Sequence, residues 1–260
     1  MKRNLTDLFD ERKNNLKLKT ENFDYGIAVN RNHDKKQVII NAQAINLFGA
    51  KIENLLVDII EKELTSTFKF NKYNNIFVVG LGNKEVPCDS LGPKVIEKLV
   101  ISRGLDISPK LCAFSPNVYS NTGIETSEIV CSISKQIKPD LVILVDSLAT
   151  VSVSRLCSCF QITKDGLVAG SGNGRGNKKI SSKLLGVDNI VSIGVPMLIY
   201  ATSIDGVDAE ENKLSAFPSL VLSPSDIRKT IELLSDIIAM AINKSIFKDM
   251  SDDEINALIK

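Results

Sequence analysis

The chain has 260 residues, 43% of them hydrophobic and 24% charged, which supplies enough apolar surface for one large domain and excludes a disordered polar chain. Its 32 basic and 31 acidic side chains leave a formal net charge of +1, so no field of one sign draws it to nucleic acid or an anionic membrane, and neither is expected as a direct partner. No stretch approaches the roughly 20 apolar residues of a membrane span, and residues 1–13 lack the apolar core of a signal peptide, so a cytoplasmic location is expected.

In chain order, residues 1–21 are charged and rich in Asn and Lys, with little periodicity, and read as a mobile, removable leader. Residues 25–30 and 37–40 flank a turn-rich stretch and predict a β-hairpin appendage, followed by a helix over 52–64 carrying Leu55, Leu56, Ile59, Ile60 and Leu64. In the turn, the single histidine, His33, reads as a solvated residue, which argues against a histidine-based triad or a multi-histidine metal site.

The apolar run 75–80 predicts a buried strand, and 90–102 a helix with Leu91, Val95, Ile96, Leu99 and Val100 on one side. A second step pairs a strand at 111–114 with a helix near 127–136 that Pro139 ends. Residues 140–145 and 190–194 read as further strands buried on both faces, with an antiparallel strand between them at 155–162. A long helix over 225–246 starts at Ser223-Pro224, and 247–260 reads as a tail. The expected architecture is α/β: a three-layer α/β/α domain over 22–246 with a mostly parallel central sheet and the hairpin appended. Five scattered cysteines, Cys88, Cys112, Cys131, Cys157 and Cys159, read as reduced thiols.

Ligands of such sheets bind beyond the carboxyl ends of the strands, and the segments after Val79 and Val145 each hold an aspartate. Asp89 closes the small-residue segment that starts at Gly80-Leu-Gly-Asn83 and stands at a helix entry; Asp146 follows the strand ending at Val145. If the two meet, repulsion raises one pKa and leaves a shared-proton pair, one carboxylate activating water while the other assists the carbonyl or leaving amine. Helix N-capping by each aspartate is an equal alternative, because spacing alone does not bring them together. The Gly-rich run from Gly170-Ser171-Gly172 to Lys178 lacks the Gly-Lys-Ser/Thr ending of a phosphate loop and reads as a flexible loop or as backbone that positions a substrate.

Seven motifs in order carry a resemblance: Gly80-Leu-Gly-Asn83, Asp89-Ser-Leu-Gly-Pro93, Thr122-Gly-Ile-Glu-Thr-Ser127, Lys138-Pro-Asp140, Val145-Asp-Ser-Leu-Ala149, Gly170-Ser-Gly172 and Ile193-Gly-Val-Pro196. Together they resemble the germination proteases of endospore-forming bacteria, whose fold is similar to that of hydrogenase maturation proteases. The resemblance implies an atypical aspartic endopeptidase, without a cofactor, that digests the small acid-soluble proteins coating spore DNA. Asp89 and Asp146 fall on the family's two essential aspartates. Asn83, Gly123, Glu125, Gly170, Ser171 and Gly172 are expected to position the substrate. The resemblance further implies a homotetrameric zymogen in the spore core that trims its own leader within a Thr-Asp-Leu sequence, here between Asp7 and Leu8, so that 1–7 is a propeptide. Cys88 stands where the family has proline, and Tyr200 where it has aspartate. Two alternatives stay open: a metal-dependent maturation protease of the hydrogenase type, which needs a third ligand, and a catalytically silent binder of the spore proteins.

Overall fold

A computed structural model describes residues 6–12, 16–32, 34, 36–45, 50–168, 178–203 and 220–259. The elements follow in the order β1 (Lys19–Asn22), β2 (Ala28–Asn32), β3 (Gln37–Asn41), α1 (Ala50–Thr67), β4 (Asn75–Gly80), α2 (Leu91–Ile96), β5 (Lys110–Phe114), α3 (Tyr119–Thr122), α4 (Thr126–Ile137), β6 (Leu141–Thr150), β7 (Cys159–Thr163), β8 (Leu167–Val168), β9 (Lys179–Ile180), α5 (Ser182–Leu185), β10 (Asn189–Tyr200), β11 (Val221–Leu222), α6 (Ile227–Ile246) and α7 (Asp252–Leu258).

The continuous apolar runs of β4 and β6 form the middle of the sheet because both of their faces are covered. Ile76, Val78, Leu141, Ile143, Val145, Val191, Ile193 and Val195 turn toward α1, α2 and α6. The alternate residues Phe77, Val79, Val142, Leu144 and Ile190 turn toward α4 and α5. The expected α/β/α layering is therefore present, with β10, β6, β4 and β5 running parallel in that order. Burying these side chains contributes roughly 1.5–3 kcal/mol each.

On the other side of β10 the sheet turns antiparallel: β7 pairs with β10, β3 with β7, β2 with β3 and β1 with β2. The hairpin predicted at 25–40 is thus joined to the central sheet through β7, the antiparallel strand expected at 155–162. One face of this half packs on α1, where Ile27, Val29, Val38 and Ile40 meet Ile52, Leu56 and Ile60. The buried ion pair between Arg31 of β2 and Glu63 of α1 ties the two together. On the opposite face Ile39, Leu148 and Cys159 are covered by Leu8.

Several predicted elements differ in extent: the strand expected at 190–194 runs on to Tyr200, that expected at 155–162 starts at Cys159, and two more differ near the site. The helix expected over 90–102 keeps its pattern only to Ile96. Beyond it, Ser102 Oγ accepts from Leu111 N at 2.7 Å, and Val100 N donates to Asn243 Oδ1 at 3.1 Å, so neighbouring elements take the backbone and side-chain groups there. The strand expected to end at Val145 runs on to Thr150, because β10 continues to pair with it as far as Ile199↔Thr150. At the carboxyl end, Ser251 and Glu254 form a capping box that starts α7, whose Ile255 is buried. Among the described residues no helix is long and apolar enough to cross a membrane. All five cysteines are free. His33 and the Gly170-Ser171-Gly172 run lie outside the described residues.

Candidate active site

The site begins where β4 stops. Gly80, its last residue, lies opposite Val145, while β6 runs on for five more residues and leaves that edge open to other chain segments. The loop after Gly80 folds back over this edge, and Leu81 N donates to Val145 O at 2.8 Å. Glycine makes the approach possible. A Cβ on Gly92 would stand 2.3 Å from Leu81 O and 2.6 Å from Val145 O. Gly82 has φ +115°, and a Cβ there would lie 2.0 Å from Asp89 O.

This folded loop delivers Asp89. It ends a single 3-10 turn, Pro87–Asp89, and its Oδ2 accepts from Asn83 N at 2.8 Å. Burial pushes its carboxyl up to about 6, against the opposing effect of the Asn83 N–H. Asp146 lies one residue past the end of β4–β6 pairing, inside the strand rather than at its end, and is 8% exposed. Its carboxyl is held well above the usual carboxylate range, first by burial and then by the charges of Asp89 and Asp7, with the Ser147 N–H opposing. Ser90, not Asp89, occupies the N-cap of α2, and Asp146 is in a strand; neither aspartate caps a helix. The two sit within electrostatic reach of each other.

A third carboxyl comes from the amino-terminal segment. Asp7 N donates to Ala149 O at 2.9 Å and Ala149 N donates to Asp7 Oδ2 at 2.9 Å, so Thr6-Asp7-Leu8 lies along the open part of β6. Burial raises the Asp7 carboxyl; the Ala149 N–H and the Arg12 guanidinium, at 2.8 Å from Asp7 Oδ1, oppose the shift. Leu8 is fully buried against Ile39, Leu148 and Cys159. Phe9 N donates to Gln161 Oε1 at 2.8 Å. Beyond it, Glu11 accepts from Thr150 Oγ1 at 2.6 Å and from Val151 N at 3.0 Å, while Arg155 pairs with Asp10 at 2.7 Å. Asp7, Gln161, Glu11 and Arg155 carry no sequence signal for these contacts, except that Asp7 belongs to the Thr-Asp-Leu expected to be cut.

The other expected residues divide. Asn83 adjoins Asp89 through its backbone, and its Oδ1 accepts from Glu85 N at 2.9 Å and from Asn121 Nδ2 at 3.4 Å. Gly123 ends α3 with φ +70°, and Glu125 precedes α4; their backbone hydrogen bonds run to Tyr119 and to Glu128 and Ile129, within their own loop and helix turn. Cys88 is half-buried against the core, and its thiol pKa is raised by burial and then by Asp89, which leaves it protonated rather than nucleophilic. Tyr200 ends β10 and is 8% exposed. Among the described residues no group of three or more His, Cys, Asp and Glu is placed to hold a metal ion.

A family model described as germination protease matches residues 4–217. The chain belongs to the germination protease family. A germination protease of Geobacillus sp. (strain WCH70) is 35% identical over 206 residues, covering 72% of this chain and 55% of that relative. The chain thus spans little more than half of that protein. Germination proteases of Clostridium acetobutylicum and Clostridium tetani are 31% and 29% identical, over 80% and 83% of this chain and 76% and 79% of theirs. Among solved structures, a [NiFe] hydrogenase maturation protease HycI from Thermococcus kodakarensis KOD1 covers 66% of this chain and 95% of its own, at 20% identity and a TM-score of 0.40.

Proposed function

We propose that this germination protease family member is a self-processing endopeptidase that uses Asp89 and Asp146 to add water to a peptide bond. The observation that carries the reading is the seating of Thr6-Asp7-Leu8 along the open edge of β6, where the charge of Asp7 reaches Asp146, whose raised carboxyl is also reached by that of Asp89. That seating supports Asp7–Leu8 as the bond that the chain cuts in itself.

The chemistry follows from the unequal carboxyls. Above pH about 6 Asp89 is ionised and takes a proton from water, whose oxygen adds to the carbonyl carbon. Asp146, held protonated, gives its proton to the leaving nitrogen as the C–N bond breaks, leaving one new carboxyl and one new amine. The proton held by Asp89 then returns Asp146 to its starting form through solvent. Family membership supports small acid-soluble spore proteins as the substrate in trans, a homotetramer as the working assembly and the spore core as its location.

The test is digestion of such a spore protein by wild type, Asp89→Asn and Asp146→Asn in the presence of EDTA, with circular dichroism on each. Intact-mass measurement follows the loss of residues before Leu8. Wild-type cleavage and its loss in both folded variants is expected; cleavage that survives either substitution removes the two-carboxylate mechanism. Wild type that binds the spore protein without cutting it instead supports the silent-binder alternative.

A further inference from the structure

Gln161 is a polar side chain only 4% exposed in the middle of β7. Its position follows from the sheet register: Gln161 lies opposite Gly194 of β10, and Gly194 lies opposite Asp146 of β6. Residues directly opposite one another across a sheet point to the same face. Gln161 and Asp146 therefore face the same side, two strand spacings apart, about 10 Å. The residue between them has no side chain, and the neighbours Ile39, Cys159 and Leu148 on that face hold Leu8. The row Asp146, Gly194, Gln161 forms a floor with a polar group at either side, over which Asp7-Leu8-Phe9 passes.

Among the described residues both hydrogen-bond contacts of the Gln161 amide go to this segment. Oε1 accepts from Phe9 N at 2.8 Å, and Nε2 faces Asp7 O at 3.5 Å. Asp7 O belongs to the carbonyl of the bond between Asp7 and Leu8. We infer that Gln161 is a catalytic residue whose amide N–H stabilises the oxyanion that forms on Asp7 O when water adds to the carbonyl carbon, while its Oε1 fixes the chain two residues on. The inference rests on the reading of Asp7–Leu8 as the cleaved bond. At 3.5 Å the contact is a weak bond to the planar carbonyl. Donors that act in catalysis are aimed at the place the oxygen reaches in the tetrahedral state, and gain strength as charge develops there. The same amide then serves any substrate laid in this groove, because it reads backbone atoms alone.

The experiment is single-turnover self-processing of the full chain, read by intact mass, for wild type, Asp146→Asn, Gln161→Met and Gln161→Glu. Hydrogen exchange of the segment 6–12 monitors docking. Methionine keeps the volume and removes donor and acceptor; glutamate keeps the acceptor for Phe9 N and, when ionised, removes the donor. We expect both Gln161 variants to be slowed about 10²–10³-fold, as for loss of one oxyanion donor, with Gln161→Glu retaining the docked segment. The ratio of the Gln161→Glu rate to wild type should rise as pH falls, because a protonated glutamate regains an O–H donor; a residue that only packs would show no such trend. Gln161→Glu at near the wild-type rate at neutral pH overturns the role of Gln161 alone. Wild type that leaves Asp7–Leu8 uncut while Asp146 is intact overturns the underlying reading, and the role of Gln161 with it.

Discussion

Asp89 combines a loop position dictated by glycines with a carboxyl pushed from 3.8 to about 6, chiefly by burial. A raised carboxylate means that the folded state holds its proton while the unfolded state has lost it. Stability from this group is therefore full below pH about 3.8 and declines as pH rises through about 6. Asp89→Asn removes the titration and keeps an oxygen acceptor for Asn83 N. It should be more stable than wild type at pH 7.5, by at most about 3 kcal/mol, with the gap closing toward pH 4. Urea unfolding at the two pH values checks this, and a gap that is flat with pH would contradict it. Asp146→Asn should behave in the same direction, because burial raises that carboxyl further. Both aspartates were picked out in the sequence as residues beyond strand ends, which describes Asp89 after β4 but not Asp146, which lies inside β6. Their charge coupling was not, since it depends on a fold-back that Gly80, Gly82 and Gly92 permit and that no spacing encodes. Gln161 was illegible for a similar reason: a polar residue in a short strand acquires meaning only when register sets it opposite Gly194.

At the level of elements, the apolar runs at 75–80 and 140–145 were legible because strands buried on both faces need uninterrupted apolar residues. Their ends were less so. The length of β6 is set by its pairing with β10 beyond Val145, a long-range contact, and the early end of α2 by Asn243 and the β5 backbone. The link between β4 and α2 is sterically closed: Gly92 lies so near Leu81 O and Val145 O that one methyl group has no room. Gly92→Ala should cost about 3 kcal/mol or more and displace Asp89 together with the loop. A melting temperature within a few degrees of wild type would contradict this. The Arg31–Glu63 pair makes a second prediction at this scale. Glu63 is 2% exposed, so Glu63→Leu removes the bonds of Arg31 to α1, leaves its guanidinium with Glu21 of β1 alone at 2.7 Å, and should cost about 1.5–3 kcal/mol. Arg31→Met with Glu63→Leu should recover most of that loss in the same unfolding assay, because neither charge is then buried without its partner.

Across the whole molecule, residues 6–12 close the face of the antiparallel half that Leu8 covers, so the strand that carries Asp146 and the segment laid on it are coupled. The docked state binds protons more tightly than the released state, because burial raises the Asp7 carboxyl and the nearby Asp7 charge raises that of Asp146. Docking should therefore weaken as pH rises; the Arg12–Asp7 pair lies within the segment, while the Arg155–Asp10 pair joins the segment to the rest of the domain and opposes release. Arg155→Ala removes the second of these together with the 3.7 Å approach to Glu11, and should weaken docking by about 1.5–3 kcal/mol, a roughly tenfold to hundredfold larger released fraction. Hydrogen exchange at Phe9 and Ala149, corrected for the intrinsic rate, reads both effects: in wild type protection is lower at a pH well above the ordinary carboxylate range than at one close to it, and in Arg155→Ala it is low at both. In Asp7→Asn the pH trend should flatten, since an amide still accepts from Ala149 N without a charge to repel Asp146. Equal protection at both pH values in wild type would mean that the carboxyl cluster does not govern the seating of the segment.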